Sequence, residues 1–274
     1  MVWAVFRQRL VVPALGAALA AGIGLPAAAA PVCPAPARLK FEIAQTIERD
    51  RLGLTQGLEF RDGRLYESTG RIDNTTQLNV IAPSGKVTTL KDLGNSVFGE
   101  GLTILNDEIF QLTWKENKVF VYDLSGKLRR TMTNPRPGWG LTNDGKSLIF
   151  TDGGSSLIYA DPKTFAITRE VQVRLGARDV RDLNELERVG DHIFANIFLT
   201  KEIVRIDYAT GCIDGVADLG VLWSAMGDAE RQRIDRAANY VLNGIAYDGQ
   251  TGLFYVTGKR WRYIFAGRFV EAPR

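Results

Sequence analysis

The 274 residues carry 34 Lys and Arg against 31 Asp and Glu, a formal charge of +3, and so even a balance gives no argument for a nucleic-acid or anionic-surface partner. One histidine, His192, and two cysteines, Cys33 and Cys212, exclude a multi-histidine zinc site and leave any Ser-His-Asp or Cys-His arrangement dependent on a single imidazole. That imidazole adjoins Gly190-Asp191 in a turn and reads as solvated, and no P-loop or dinucleotide fingerprint is present.

Residues 1–29 read as a secretory signal. Arg7 and Arg9 precede an apolar run from Leu10 to Leu25, and small residues from Pro26 to Ala30 favour cleavage after Ala29, since Pro31 disfavours a cut directly before it. A membrane anchor is the other reading, but the run of about 16 residues falls short of the ~20 that span a bilayer. Removal takes two arginines and no acid, leaving a charge of +1 and a mature chain, residues 30–274, of a size that all-β folds keep as one domain. The expected location is the periplasm or the exterior, without membrane attachment once the signal is gone. In that oxidising setting Cys33 and Cys212 either bridge the N-terminal arm to the turn after the fourth repeat or remain two thiols, and both readings stand.

From Phe41 onward the pattern is of strands. Phe41–Ile47 comes first, and then five openings recur: Gln56-Gly57-Leu58, Glu100-Gly101-Leu102, Trp139-Gly140-Leu141, Asn184-Glu185-Leu186 and Asn243-Gly244-Ile245. Their aliphatic positions lie 44, 39, 45 and 59 residues apart, which fits one supersecondary unit per copy. After each opening comes a turn, such as Asp62-Gly63 or Asn106-Asp107, and a second apolar strand; third strands end in Asp123, Asp161 and Asp207, and fourth strands follow. The long last gap holds residues 222–240, read as a helical insertion in which Asp228 caps the turn into Ala229-Glu-Arg-Gln-Arg; it either roofs a channel mouth or decorates the surface. Phe41–Ile47 is expected to pair with Tyr263–Phe269 and close the ring. The fold class is all-β, a five-bladed β-propeller with a short helical insertion before the last blade, expected as a monomer.

In a propeller the first strands line the axis, so Gln56, Glu100, Trp139, Asn184 and Asn243 should share one chamber. Trp114 ends the second strand of Glu100's repeat, and Phe198 holds the matching place two repeats later. A carboxylate walled by rings loses solvation, which raises its pKa and suits it to shuttle a proton near neutrality. The other reading makes Glu100 a channel residue for a structural ion or water, with the tryptophans as packing.

Thr55-Gln-Gly-Leu-Glu-Phe60, Phe98-Gly-Glu-Gly-Leu-Thr103, Gln111-Leu-Thr-Trp-Lys115, Asn184-Glu-Leu-Glu187, Leu242-Asn-Gly-Ile-Ala246 and Val256-Thr-Gly-Lys-Arg-Trp261 together resemble the plant and bacterial type of glutaminyl-peptide cyclotransferase, over nearly all of the mature chain. The resemblance implies conversion of an N-terminal glutaminyl residue of a peptide substrate to pyroglutamate with release of ammonia, using no cofactor and no catalytic metal. By position it implies Glu100 as acid/base and Asn184 as the amide-binding asparagine. Trp114 and Trp139 would be aromatic walls, Gln56 the channel glutamine and Lys259 the lysine near the site; Asn243, from its channel position, is expected as a further substrate contact. Phe198 stands where a third tryptophan is usual, and Leu54 replaces a common aromatic. Two alternatives remain: a metal-dependent lactonase or hydrolase with Glu100, Asn184 and Asn243 as oxygen ligands of Ca²⁺, and a periplasmic binding propeller without turnover.

Overall fold

The computed structural model describes residues 32–71, 73–237 and 239–273; the signal expected at residues 1–29 lies outside them. Strands dominate. After β1 (Ala37–Glu48) come four antiparallel strands, β2 (Thr55–Arg61), β3 (Arg64–Thr69), β4 (Gln77–Ile81) and β5 (Val87–Asp92). The same four-stranded meander recurs as β6 (Gly99–Leu105), β7 (Glu108–Thr113), β8 (Lys118–Asp123) and β9 (Leu128–Thr133), and again as β10 (Leu141–Asn143), β11 (Leu148–Phe150), β12 (Ser156–Ala160) and β13 (Ile167–Gln172). A small hairpin, β14 (Arg174–Leu175) with β15 (Arg178–Asp179), leads into β16 (Leu183–Val189), β17 (His192–Ile197), β18 (Glu202–Asp207) and β19 (Ile213–Asp218). Two short helices, α1 (Gly220–Ala225) and α2 (Asp228–Asp235), precede β20 (Leu242–Asp248), β21 (Leu253–Gly258) and β22 (Tyr263–Glu271).

Turn chemistry sets the hairpins. Asp62 and Gly63 have φ of 50° and 75°, and Asn106 and Asp107 have φ of 51° and 60°; two successive positive φ values make the two-residue turn whose twist matches its strands. Beyond the hairpins, steric room decides how the meanders meet. First strands lie against one another in the order β2, β6, β10, β16, β20, and β20 lies against β2. A Cβ at Gly57 would stand 2.4 Å from Leu102 N, one at Gly101 2.4 Å from Leu141 N, and one at Gly140 2.0 Å from Asn184 O. No side chain fits there, so the backbones touch. Layers of Leu, Ile, Val and Phe then fill the spaces between neighbouring sheets, as with Leu141, Phe150 and Ile158 against Phe110, Leu112 and Val121.

The equivalent position in the fourth copy is Glu185. Its carboxylate accepts the N–H of Leu58 at 3.0 Å and of Ile245 at 2.7 Å, so one side chain ties β16 to both β2 and β20.

As expected, β1 pairs antiparallel with β22, with Phe41 opposite Phe269 and Ile47 opposite Ile264. It also pairs parallel with β19, Ala37 opposite Gly215 and Leu39 opposite Ala217, which fuses the last two meanders into an eight-stranded sheet. In the insertion, Asp228 lies inside the first turn of α2 instead of capping it; the cap position is Gly227 and has no side-chain bond, while Asp228 pairs with Arg231 at 2.7 Å. Leu222, Trp223 and Ile234 bury the helices in the core, Trp223 edge-on to Trp261 at 4.8 Å.

Of the two cysteine readings, the bridge is the one present: Cys33 and Cys212 are joined, with Cα atoms 5.4 Å apart across 179 residues of sequence. Closing so long a loop restricts the unfolded chain strongly, and Cys212→Ser should lower stability by about 2–4 kcal/mol, read as a fall in the urea midpoint under non-reducing conditions; an unchanged midpoint would show that β1 is held by its two sheets alone.

Candidate active site

Where the first strands begin, their leading side chains surround a cavity of about 410 Å³. Gln56 enters from β2, Glu100 from β6 and Asn184 from β16; Trp139 lies just before β10, and Trp114, Phe198 and Lys259 stand directly after β7, β17 and β21. Seven of the eight residues expected from the sequence therefore meet in one place. Asn243 is the other: it is fully buried, donates from Nδ2 to the Thr55 carbonyl at 3.0 Å, and lies outside the lining. Two aromatic pairs form parts of the wall. Phe98 and Trp114 have centroids 5.8 Å apart, and Trp139 meets Phe198 edge-on at 5.5 Å. Gly70 and Gly153 leave the room these rings need, since a Cβ at either would fall within 2.4–2.7 Å of Phe98 or Trp139. Trp114 is the most open of the lining aromatics, 38% exposed.

Glu100 is buried, 6% exposed. Burial pushes its carboxyl well above the usual range; the Lys259 charge opposes the rise, and Glu116 adds to it. Burial likewise lowers the Lys259 ammonium, and Glu100 holds it up in part. The ammonium lies 4.9 Å from the centre of the Phe198 ring. A carboxyl and an amine that each resist ionisation, in an apolar cavity, can exchange a proton with a bound molecule at little cost.

A family model for glutamine cyclotransferase matches residues 16–269. The chain belongs to the glutamine cyclotransferase family. It is 35% identical over 236 residues to the glutaminyl-peptide cyclotransferase of Arabidopsis thaliana, an alignment covering 85% of this chain and 72% of that relative. The crystal structure of Myxococcus xanthus glutaminyl cyclase shares its fold with a TM-score of 0.75 at 30% identity, over 87% of this chain and 100% of that one.

Several features of the site lie beyond what the motifs foretold. Asn239, at the end of the helical insertion, lines the cavity, so the insertion is more than surface decoration; no sequence signal marks it. Lys259 is aimed by its neighbours: its own N–H bonds Val241 O at 2.9 Å, while left-handed Arg260 (φ 62°) donates its N–H to Gly53 O and its guanidinium to the Tyr240 hydroxyl, both at 2.7 Å. The segment leading to Gln56 is fixed by a buried pair, Arg49 to Glu67 at 2.6 Å, with Thr55 Oγ1 and Asn79 Nδ2 donating to the same carboxylate at 2.6 and 3.1 Å. His192 is the first residue of β17 and bonds Asp214 at 2.9 Å, outside the cavity lining.

Further along the first strands, three more carboxyls are raised by desolvation: Glu185, Glu187 and Glu59. Glu59 keeps some contact with solvent yet is so enclosed that it rises to about 7, despite bonds from Thr103 Oγ1 and Ile104 N.

Because both Arg49 and Glu67 are fully buried, Glu67→Ala should cost about 3–5 kcal/mol by stranding the guanidinium, measured by urea unfolding; a cost under ~1 kcal/mol would place the pair with ordinary surface bridges. A group raised in the folded state contributes stability that is full below its unfolded pKa and fades as pH rises through the folded one. The melting temperature of the protein should therefore fall between pH 5 and pH 8 more than that of Glu59→Gln, the difference opening above the unfolded value of 4.5 and levelling off past the folded value of about 7; parallel curves would contradict it.

Proposed function

We propose that this chain cyclises N-terminal glutaminyl residues of peptides to pyroglutamate and releases ammonia, as a glutaminyl-peptide cyclotransferase of the acyltransferase class. Family membership supports the reaction, and one observation carries its assignment to the cavity: Glu100 is the single carboxylate lining it among the described residues, desolvated among rings. The substrate's α-amine attacks its own γ-carbonyl carbon; the new C–N bond closes the five-membered ring and the old one to the amide nitrogen breaks. Glu100 accepts the proton that the amine loses and returns it to the departing nitrogen, which leaves as ammonia. Asn184 holds the carbonyl oxygen as negative charge develops there. Trp114, Trp139 and Phe198 fold the side chain back on the amine, with Gln56 and Lys259 as polar contacts. Ring closure is intramolecular, so orientation and one proton transfer suffice, and no nucleophilic residue is needed.

The five four-stranded meanders, with first strands in cyclic contact and β1 completing the last, support a five-bladed propeller. The Cys33–Cys212 bridge and the composition of residues 1–29 support export to the periplasm or beyond with loss of that segment, and the mature protein is proposed to act as a monomer free of membrane. The lactonase-like alternative is disfavoured by Lys259, an amine buried in the same cavity, which offers Ca²⁺ no oxygen ligand and, when protonated, repels it from Glu100.

Ammonia release from a short glutaminyl peptide tests the proposal. The wild-type chain should turn over equally with and without chelator, and Glu100→Gln should lose ~100- to 10,000-fold in rate at unchanged folding. Retention of more than about a tenth of the activity would remove Glu100 from its role, and loss on chelation with recovery on Ca²⁺ would favour the hydrolase reading.

A further inference from the structure

Glu116 follows the Trp114-Lys115 wall by one residue and has no part in the scheme above. It sits in the turn between β7 and β8, where Asn117 is left-handed at φ 57°. The main-chain ladder of β6 and β7 ends with Trp114 N–H donating to Phe98 O at 3.0 Å. Phe98 N–H lies one step further out and has no strand partner. Glu116 supplies one: its Oε1 accepts Phe98 N–H at 3.1 Å, and its Oε2 accepts Lys115 N–H at 3.3 Å. Phe98 is two residues before Glu100 on the same strand approach, and its ring and that of Trp114 form one wall of the cavity.

The side chain thus extends the sheet by one rung at the cavity rim. It does so with a carboxylate, and the same carboxylate adds to the rise of the Glu100 carboxyl. The groups around Glu100 are few. Gln56 on β2 and Asn184 on β16 line the same cavity and are neutral, and the ionisable groups that act on Glu100 are Lys259 after β21, which opposes its rise, and Glu116 after β7, which adds to it. Lys115, although adjacent, places its ammonium 4.0 Å from the centre of the Trp114 ring. A neutral acceptor would complete the rung equally well. The choice of a carboxylate has a separate effect: it makes loss of the Glu100 proton harder and so strengthens Glu100 as a base for the substrate amine.

We propose that Glu116 is a positioning residue for cyclisation, locking the Phe98–Trp114 wall through the Phe98 N–H and supplying a negative charge that acts on Glu100. The inference rests on the cyclase reading of the cavity. Two substitutions separate its halves. Glu116→Gln keeps an acceptor for Phe98 N–H and removes the charge, so KM should stay within about twofold while the acid limb of the kcat/KM profile moves to lower pH. Glu116→Ala removes both, so the same limb shift should be joined by a rise in KM of about tenfold, the worth of one charge-assisted hydrogen bond. An unmoved acid limb in Glu116→Gln overturns the electrostatic half, and wild-type KM in a folded Glu116→Ala overturns the positional half; should the alanine chain fail to fold, wild-type KM with the shifted limb in Glu116→Gln still sustains the proposal. The Glu100 titration is also followed without turnover, as the infrared carboxyl band that disappears in Glu100→Gln. If wild-type protein releases no ammonia, the cyclase reading fails on its own, while a band that moves to lower pH in Glu116→Gln still sustains the coupling, and one that does not move ends it.

Discussion

Backbone touches backbone where the first strands cross at Gly57, Gly101 and Gly140, and the rest of the molecule is arranged around that contact. Strands held so close bring the residue preceding each crossing into a common space, which is how side chains 128 residues apart, Gln56 and Asn184, come to line one cavity. The same closeness leaves peptide N–H groups of β2 and β20 facing inward without strand partners. Burying them unpaired would be costly. Glu185 answers both at once, and its carboxylate, though strongly desolvated, is useful as an acceptor because two N–H dipoles converge on it. The crossing is therefore both a steric and an electrostatic joint.

Above that joint, the chemistry of the cavity depends on restraint. Glu100 is kept from ionising freely by burial, and Lys259 is kept from holding its proton firmly by the same burial. Neither effect would survive a cavity open to bulk water. The aromatic pairs maintain it, and the pairs in turn rely on absent side chains at Gly70 and Gly153. The support is layered: turns around Arg260 aim Lys259, the Arg49–Glu67 pair anchors the approach to Gln56, and the core beneath α1 and α2 steadies the segment that carries Asn239.

What the sequence made legible was local or periodic. Asp62-Gly63 and Asn106-Asp107 announce their turns because left-handed backbone favours those residues, and the recurrence of a glycine beside an aliphatic residue marks four of the five inner strands. From that register alone Gln56, Glu100, Trp139 and Asn184 could be placed together. The illegible parts are long-range bonds from side chain to backbone. Glu185 looks like a lapse in the small-residue pattern, and its reason lies in Leu58 and Ile245, on strands that its own neighbourhood does not encode. Glu116 to Phe98 and Arg49 to Glu67 are of the same kind. The parallel pairing of β1 with β19 was hidden because one strand can satisfy two neighbours with the same alternating pattern, and Asp228 failed as a cap because Gly227 already permits the chain to enter α2.

The double pairing of β1 also fixes an order of events. This strand leaves the ribosome first, yet both of its neighbours, β19 and β22, are made near the end, so its hydrogen bonds cannot form until almost the whole chain exists. Contacts spanning such separations are slow to form because loop entropy must be met before they contribute. The sheet that holds β1 between β19 and β22 can accordingly be completed only late, and the Cys33–Cys212 link ties the arm before β1 to the turn before β19.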